Sequence, residues 1–156
     1  MPDNVYLGNP NLKKANTAIE FTQEQILEFM KCKEDPVYFA NNYIKIVSLD
    51  EGLTQFHPYH FQEKLINNFH ENRFNICKMP RQTGKSTTVV SYLLHYAVFN
   101  DSVNIGILAN KAATARELLG RLQTAYENLP RWMQQGIIAW NKGSLELENG
   151  SKILAA

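Results

Sequence analysis

The segment Met79-Pro80-Arg81-Gln82-Thr83-Gly84-Lys85-Ser86 constrains this chain more than any other. It carries the second glycine, the lysine and the hydroxyl of the pattern G-x-x-x-x-G-K-[ST], with Met79 where the pattern has its first glycine. A loop of this kind joins a strand to a helix. Its successive backbone N–H groups, from Gln82 to Ser86, are expected to converge on one nest at the positive end of that helix. Gly84 lets the backbone approach a phosphate closely. Lys85 is expected to reach the β and γ phosphates, and Ser86 to place its hydroxyl on Mg²⁺. The loss of the first glycine leaves these groups in place, so the segment reads as a site for a nucleoside triphosphate, ATP with Mg²⁺. Arg81 lies inside the loop, where a cation stabilises charge developing at the γ phosphate. Its alternative role is that of a surface cation.

The flanks agree with that reading. Phe74 to Met79 predicts a strand entering the loop, and Lys85 to Phe99 a helix that is apolar over much of its surface. Val103 to Ala109 predicts a buried parallel strand, and Lys111 to Asn128 a second long helix. Strand, loop, helix, strand, helix is the order of a right-handed crossover. The expected fold is α/β, a RecA/ASCE-like P-loop NTPase with a parallel sheet flanked by helices. Further on, Leu145 to Glu148 alternates and Asn149-Gly150 is the dipeptide of a type I′ turn, so a hairpin is expected there.

Upstream lies a helical segment. Thr22 and Gln25 have capping-box spacing, which opens a helix to about Lys33. Asp35-Pro36 is an N-cap with proline at the first helical position, and a short helix over Val37 to Tyr43 follows. Ile44 to Leu49 is expected to be extended. His57-Pro58 opens a third helix, with Phe61, Leu65, Ile66 and Phe69 on one face. Residues 1–20, without periodicity, read as a mobile arm.

Gln62 precedes the loop by this helix and the expected strand. Its amide both donates and accepts, so it suits adenine N6 and N7, with Phe61 beside it for stacking. Alone, such a glutamine is more often an ordinary exposed side chain. The carboxylate strand that ATP hydrolysis requires has one lookalike, Ile44 to Leu49 followed by Asp50-Glu51. It lies before the loop, whereas the parallel order places that strand after it, so these acids read as a solvated connection.

Charge and cysteines narrow the class. With 16 Lys+Arg against 15 Asp+Glu, the chain lacks the strong basic excess of a nucleic-acid-coating protein. Lys111, Arg116 and Arg121 share one expected helix and are candidates for DNA phosphate contacts. Their spacing of five does not stack them on one face. No apolar run approaches the roughly 20 residues of a membrane span. Cys32 and Cys77 read as buried thiols in a reducing compartment, and the four histidines show no ligand spacing for a metal.

Taken in order, Phe61-Gln62, the run Met79 to Thr87, Gly106-Ile107-Leu108-Ala109 with Lys111, Leu129-Pro130, Gly136-Ile137, Trp140 to Ser144, Glu146-Leu147 and Asn149-Gly150-Ser151 resemble the ATPase domain of the large terminase subunit of tailed phages, in its T4-like branch. That branch also has an Arg-Gln-x-Gly-Lys-[ST] loop without the first glycine. The resemblance covers about residues 20–156. It implies a motor that couples ATP hydrolysis to moving double-stranded DNA into a procapsid in the host cytoplasm. Implied partners are the DNA, the portal protein, the small terminase subunit and further copies of the chain in a motor ring. It also implies that Gln62 and Phe61 meet adenine and that Gln82, Thr83, Gly84, Lys85, Ser86 and Thr87 bind the nucleotide. Ser86 would hold Mg²⁺, and Arg81 and Lys85 would serve catalysis. The family's Walker B Asp-Glu and its nuclease domain lie beyond Ala156, so residues 21–156 are expected to bind ATP but to hydrolyse it poorly alone. The competing expectations are a helicase-like ATPase and a non-catalytic fragment that binds the portal or another partner.

Overall fold

The computed structural model describes residues 4–156. The expected arm opens with a hairpin, β1 (Val5–Tyr6) against β2 (Asn9–Lys13). Leu12 and Lys13 of this hairpin are buried. Composition pointed to an unanchored segment because its polar residues outnumber its anchors. The anchor is a long-range polar network. Gln134 Oε1 accepts from the Lys13 amide, and Gln134 Nε2 donates to the carbonyls of Asn11, Tyr126 and Leu129. The Glu148 carboxylate accepts from the amides of Asn16 and Gly136 and pairs with Lys13 at 3.4 Å. Partial burial pushes the Glu148 carboxyl up, but those two amides and Lys13 outweigh it and hold it below the ordinary carboxylate range. A Cβ on Gly136 would lie 2.6 Å from the Ala15 Cα, so only glycine lets the chain after the hairpin pass there. Residues 1–3, part of the expected arm, lie outside the described residues.

The helical segment forms as its caps dictate. Helix α1 (Gln23–Glu34) starts at a complete capping box of Thr22 and Gln25. Helix α2 (Pro36–Tyr43) starts at Asp35, whose carboxylate accepts from the amides of Val37 and Tyr38. Gln55 closes the other end of α2 by donating to the carbonyls of Ala40, Asn41 and Ile44. It belongs to β4 (Gly52–Gln55), which pairs antiparallel with β3 (Lys45–Ser48) as a separate two-stranded sheet. Helix α3 (His60–Glu71) follows, then α4 (Lys85–Phe99), β5 (Asn104–Ile107), α5 (Ala112–Glu127), β6 (Ile137–Trp140), β7 (Ser144–Leu147) and β8 (Lys152–Ala155).

The fold is α/β, but the expected parallel sheet is not what these residues build. The main sheet has the order β5-β8-β7-β6, with one parallel pair, β5 and β8, and two antiparallel pairs. The short turn between β7 and β8 forces them antiparallel. That turn is not type I′, because Asn149 keeps an ordinary φ and only Gly150 has a positive one, 84°. The Gly150 amide bonds Leu147 O at 3.0 Å, which is a tight turn followed by a left-handed glycine, the three-residue hairpin solution.

The expected strand over Phe74 to Met79 is also absent. A strand needs a partner backbone, and among the described residues none pairs with this segment. Phe74 is 82% and Ile76 101% exposed. A cleft of about 750 Å³ lies between its Asn75 and Cys77 and the unpaired edge of β5 at Asn104 and Ile105, and the side chains of Val89 and Leu93 line it too. Cys77 is accordingly only half-buried, whereas Cys32 is buried as expected.

The core sits between the helices and the main sheet. Val90, Leu94, Ala97, Val98 and Phe99 of α4 pack with Phe39 and Ala40 of α2, Ile66 of α3, and Ala115, Leu119 and Leu122 of α5. His95 lies in this core, edge-on to Phe39 at 5.4 Å, with its Nε2 2.8 Å from the carbonyl of Cys32. That contact fixes Nε2 as the donor. Burial pushes the His95 imidazole down to about 4. The unfolded chain then binds a proton near 6.5 that the folded chain refuses, so this group withdraws stability as pH falls from about 6.5 to about 4. The loss approaches about 3 kcal/mol at the low end. Denaturant titrations across that window are expected to show a shallower pH dependence in His95→Gln than in the parent chain, the amide keeping a donor without the titration.

Candidate functional site

The loop before α4 is shaped by two left-handed residues. Gly84 has φ 72° and ψ 19° and caps the helix, and Gln82 has φ 61°. Asparagine-like side chains and glycine tolerate that region best, so the turn at Gln82 carries some backbone cost. Side chains tie the loop to itself. Thr83 Oγ1 donates to Pro80 O at 3.0 Å, and Lys85 Nζ donates to Met79 O at 3.3 Å. Thr88 closes the first helical turn, bonding Gly84 O through both its amide, at 3.0 Å, and its hydroxyl, at 2.8 Å.

Gln62 braces the loop from α3. Its Oε1 accepts from the Tyr59 amide at 2.8 Å, and its Nε2 donates to Gly84 O at 3.3 Å. The side chain is buried, with 3% exposure, and both ends of the amide are engaged in this conformation. Phe61 is 44% exposed and stacks on Tyr59, with ring centroids 6.0 Å apart. The Gly84–Gln62 contact is tight, because a Cβ on Gly84 would lie 2.5 Å from Gln62 Nε2.

Two cavities meet at this loop. One, of about 510 Å³, is lined by residues 80–87 and by Arg121 from α5. Its charged lining groups are Arg81, Lys85 and Arg121, all cationic. The first turn of α4 adds the unpartnered amides that every helix leaves at its start. Cations plus a helix N-terminus are the chemistry of an anion site. The second cavity, of about 450 Å³, runs from Gly84 and Thr87 past Gln62 to Tyr59, His57 and Glu51. Gly84 and Thr87 are common to both.

The sequence-predicted residues Arg81, Gln82, Thr83, Gly84, Lys85, Ser86 and Thr87 thus line one cavity, while Gln62 lies in the adjoining one. Phe61 lines neither, and Tyr59 stands between it and the second cavity. Two residues gain a place that sequence order did not suggest. Glu51, at the exposed β3–β4 turn, reaches the wall near Gly84 because that hairpin folds back over the loop. Arg121 comes from a helix a strand away. Lys111, which precedes that helix as its N-cap, and Arg116 on it are exposed but line neither cavity.

The family described as "Terminase large subunit, T4likevirus-type, N-terminal" has a model that matches residues 76–156, more than half of the chain. The match takes in the loop, α4, α5 and the whole main sheet.

The tight contact at Gly84 makes a separable prediction. Gly84→Ala combines a positive φ with a clash and is expected to cost about 1–3 kcal/mol in a denaturant titration. Adding Gln62→Ala removes the clash but not the backbone strain. The double variant should therefore be less destabilised than the two single effects summed.

Proposed function

We propose, because the chain belongs to the family of T4-like terminase large subunits, that it is the ATP-binding part of a viral DNA-packaging motor. The observation that carries this reading is the cavity of three cations at the N-terminus of α4, bordered by a second cavity beside Gln62. A triphosphate needs clustered cations and converging amides, and the adjoining cavity, of about 450 Å³ and lined by Gln62, Tyr59 and His57, is the space proposed for the nucleoside.

In this reading Lys85 leaves Met79 O for the β and γ phosphates. Arg81, exposed on the loop, turns toward the γ phosphate and stabilises charge there as the bond to the leaving group breaks. The amides from Gln82 to Thr87 orient the phosphates, with Gly84 keeping the approach open. The Ser86 hydroxyl is the oxygen donor for magnesium, which neutralises phosphate charge when bound with ATP. Gln62 exchanges its contact with Gly84 O for the adenine edge, with Tyr59 as the aromatic wall of the cavity and Phe61 stacked on Tyr59 outside it. Glu51 is the acidic group nearest the second cavity, but its turn sits in an antiparallel hairpin and not at the end of a parallel strand. Turnover in this reading requires a carboxylate on a parallel strand, and among the described residues the parallel pair of β5 and β8 carries none.

As part of a large terminase subunit, the chain acts on double-stranded DNA in the host cytoplasm. It works with the portal, the small subunit and neighbouring copies in the motor ring. No helix among the described residues is long and apolar enough to cross a membrane.

Equilibrium binding of fluorescent ATP with Mg²⁺ tests the proposal. The parent chain is expected to bind and Lys85→Ala to lose binding, while Ser86→Ala weakens binding mainly when Mg²⁺ is present. An absence of binding in the parent chain, or undiminished binding in Lys85→Ala, overturns it.

A further inference from the structure

We infer that Arg121 reads the terminal phosphate of the bound nucleotide, giving the site its preference for a triphosphate over a diphosphate. This rests on the ATP-binding reading above and extends it to a residue outside the loop.

Arg121 is the one lining residue of the cationic cavity that does not belong to residues 80–87. Leu119, Leu122 and Ala125 bury one face of α5 in the core it shares with α4, and Arg121 lies on the flank of that face, where it lines the cavity with the first turn of α4. The guanidinium is half exposed and is held by Glu117 one turn earlier, Nη2 to Oε1 at 2.7 Å. Glu117 itself does not line the cationic cavity. It lines the neighbouring apolar cleft, of about 620 Å³, between α5 and β3. Arg121 and Thr87 line both spaces, so the arginine stands at the boundary with its partner on the far side.

That arrangement suits an exchange. A guanidinium fork matches phosphate oxygens as well as it matches a carboxylate. An exposed i, i+4 pair contributes little, so Arg121 leaves Glu117 at small cost when a more highly charged group arrives. Residues 80–87, with Lys85 and Arg81, approach the phosphates from the loop side, whereas Arg121 lines the same cavity from α5; on this proposal it takes the oxygens of the terminal phosphate that the loop leaves open. A diphosphate leaves that position empty and Arg121 on Glu117. Loss of the terminal phosphate is thereby converted into a change of partner on α5.

The test is a comparison of ATPγS and ADP, each with Mg²⁺, binding to the 156-residue chain and to Arg121→Ala, Arg121→Lys and Glu117→Gln. Arg121→Ala is expected to weaken ATPγS about ten- to hundredfold, the range of a charge-assisted contact, and to leave ADP within about twofold. Arg121→Lys keeps the charge but not the fork and should recover only part of the loss. Glu117→Gln releases the arginine and should tighten ATPγS severalfold without affecting ADP. Equal loss for both nucleotides would mean a structural role and overturn the inference. So would unchanged affinity for both, or a loss confined to double-stranded DNA binding. Failure of the parent chain to bind either nucleotide would instead remove the ATP-binding reading, and this inference with it.

Discussion

Burial of a broad face of α4 fixes where its first turn can point. Thr88, Val90, Ser91, Leu94, His95, Ala97, Val98 and Phe99 are all enclosed, so the helix can neither slide nor roll without opening the core against α2, α3 and α5. Its N-terminal amides are consequently aimed by packing, not by the loop that precedes them. The loop adds only local closures, from Thr83 to Pro80, from Lys85 to Met79 and from Thr88 to Gly84. A helix terminus that packing holds in one orientation leaves little to reorganise around it.

The same helix explains how distant residues join the site. Gln62 arrives because α3 lies on α4, and Arg121 because α5 lies on it from another direction. Both are braced by neighbours when no ligand is present, Gln62 by Tyr59 and Gly84, Arg121 by Glu117. The loop thus has a buried amide on one side and an exposed ion pair on the other. These two supports differ in how easily they let go, since a buried amide that loses its partners is left unsatisfied while an exposed pair is rehydrated.

Much of this was legible in the sequence because it depends on local chemistry. The caps at Thr22 and Asp35, the start of α4 at Lys85 and its end at Phe99 follow from residues within a turn of each boundary. The membership of the family was legible from ordered short motifs. What the sequence did not disclose depends on partners far along the chain. Phe74 to Met79 has strand composition, yet composition supplies no partner backbone, and the segment stands apart from β5 across a cleft. The parallel sheet was inferred from element order; the hairpin of β7 and β8 was legible, but not that β8 would insert beside β5 in the same sheet. Asn149-Gly150 suggested one turn type and adopts another, because the φ of Asn149 is set by the strand register. Glu51 and Arg121 gain their place from how β3, β4 and α5 fold back on the loop, and no spacing in the sequence encodes that.

The N-terminal hairpin has a consequence for the order in which the molecule assembles. Lys13 meets Gln134 across 121 positions, and Asn16 meets Glu148 across 132. Contacts of such separation pay their loop-closure entropy before any reward, and they slow folding accordingly. The acceptors on Gln134 and Glu148 take shape only with the turns that flank β6 and β7. The hairpin therefore has nothing to dock on until residues 134–148 have been made. Among the described elements the hairpin is one of the last to find its place, and it closes the fold like a clasp.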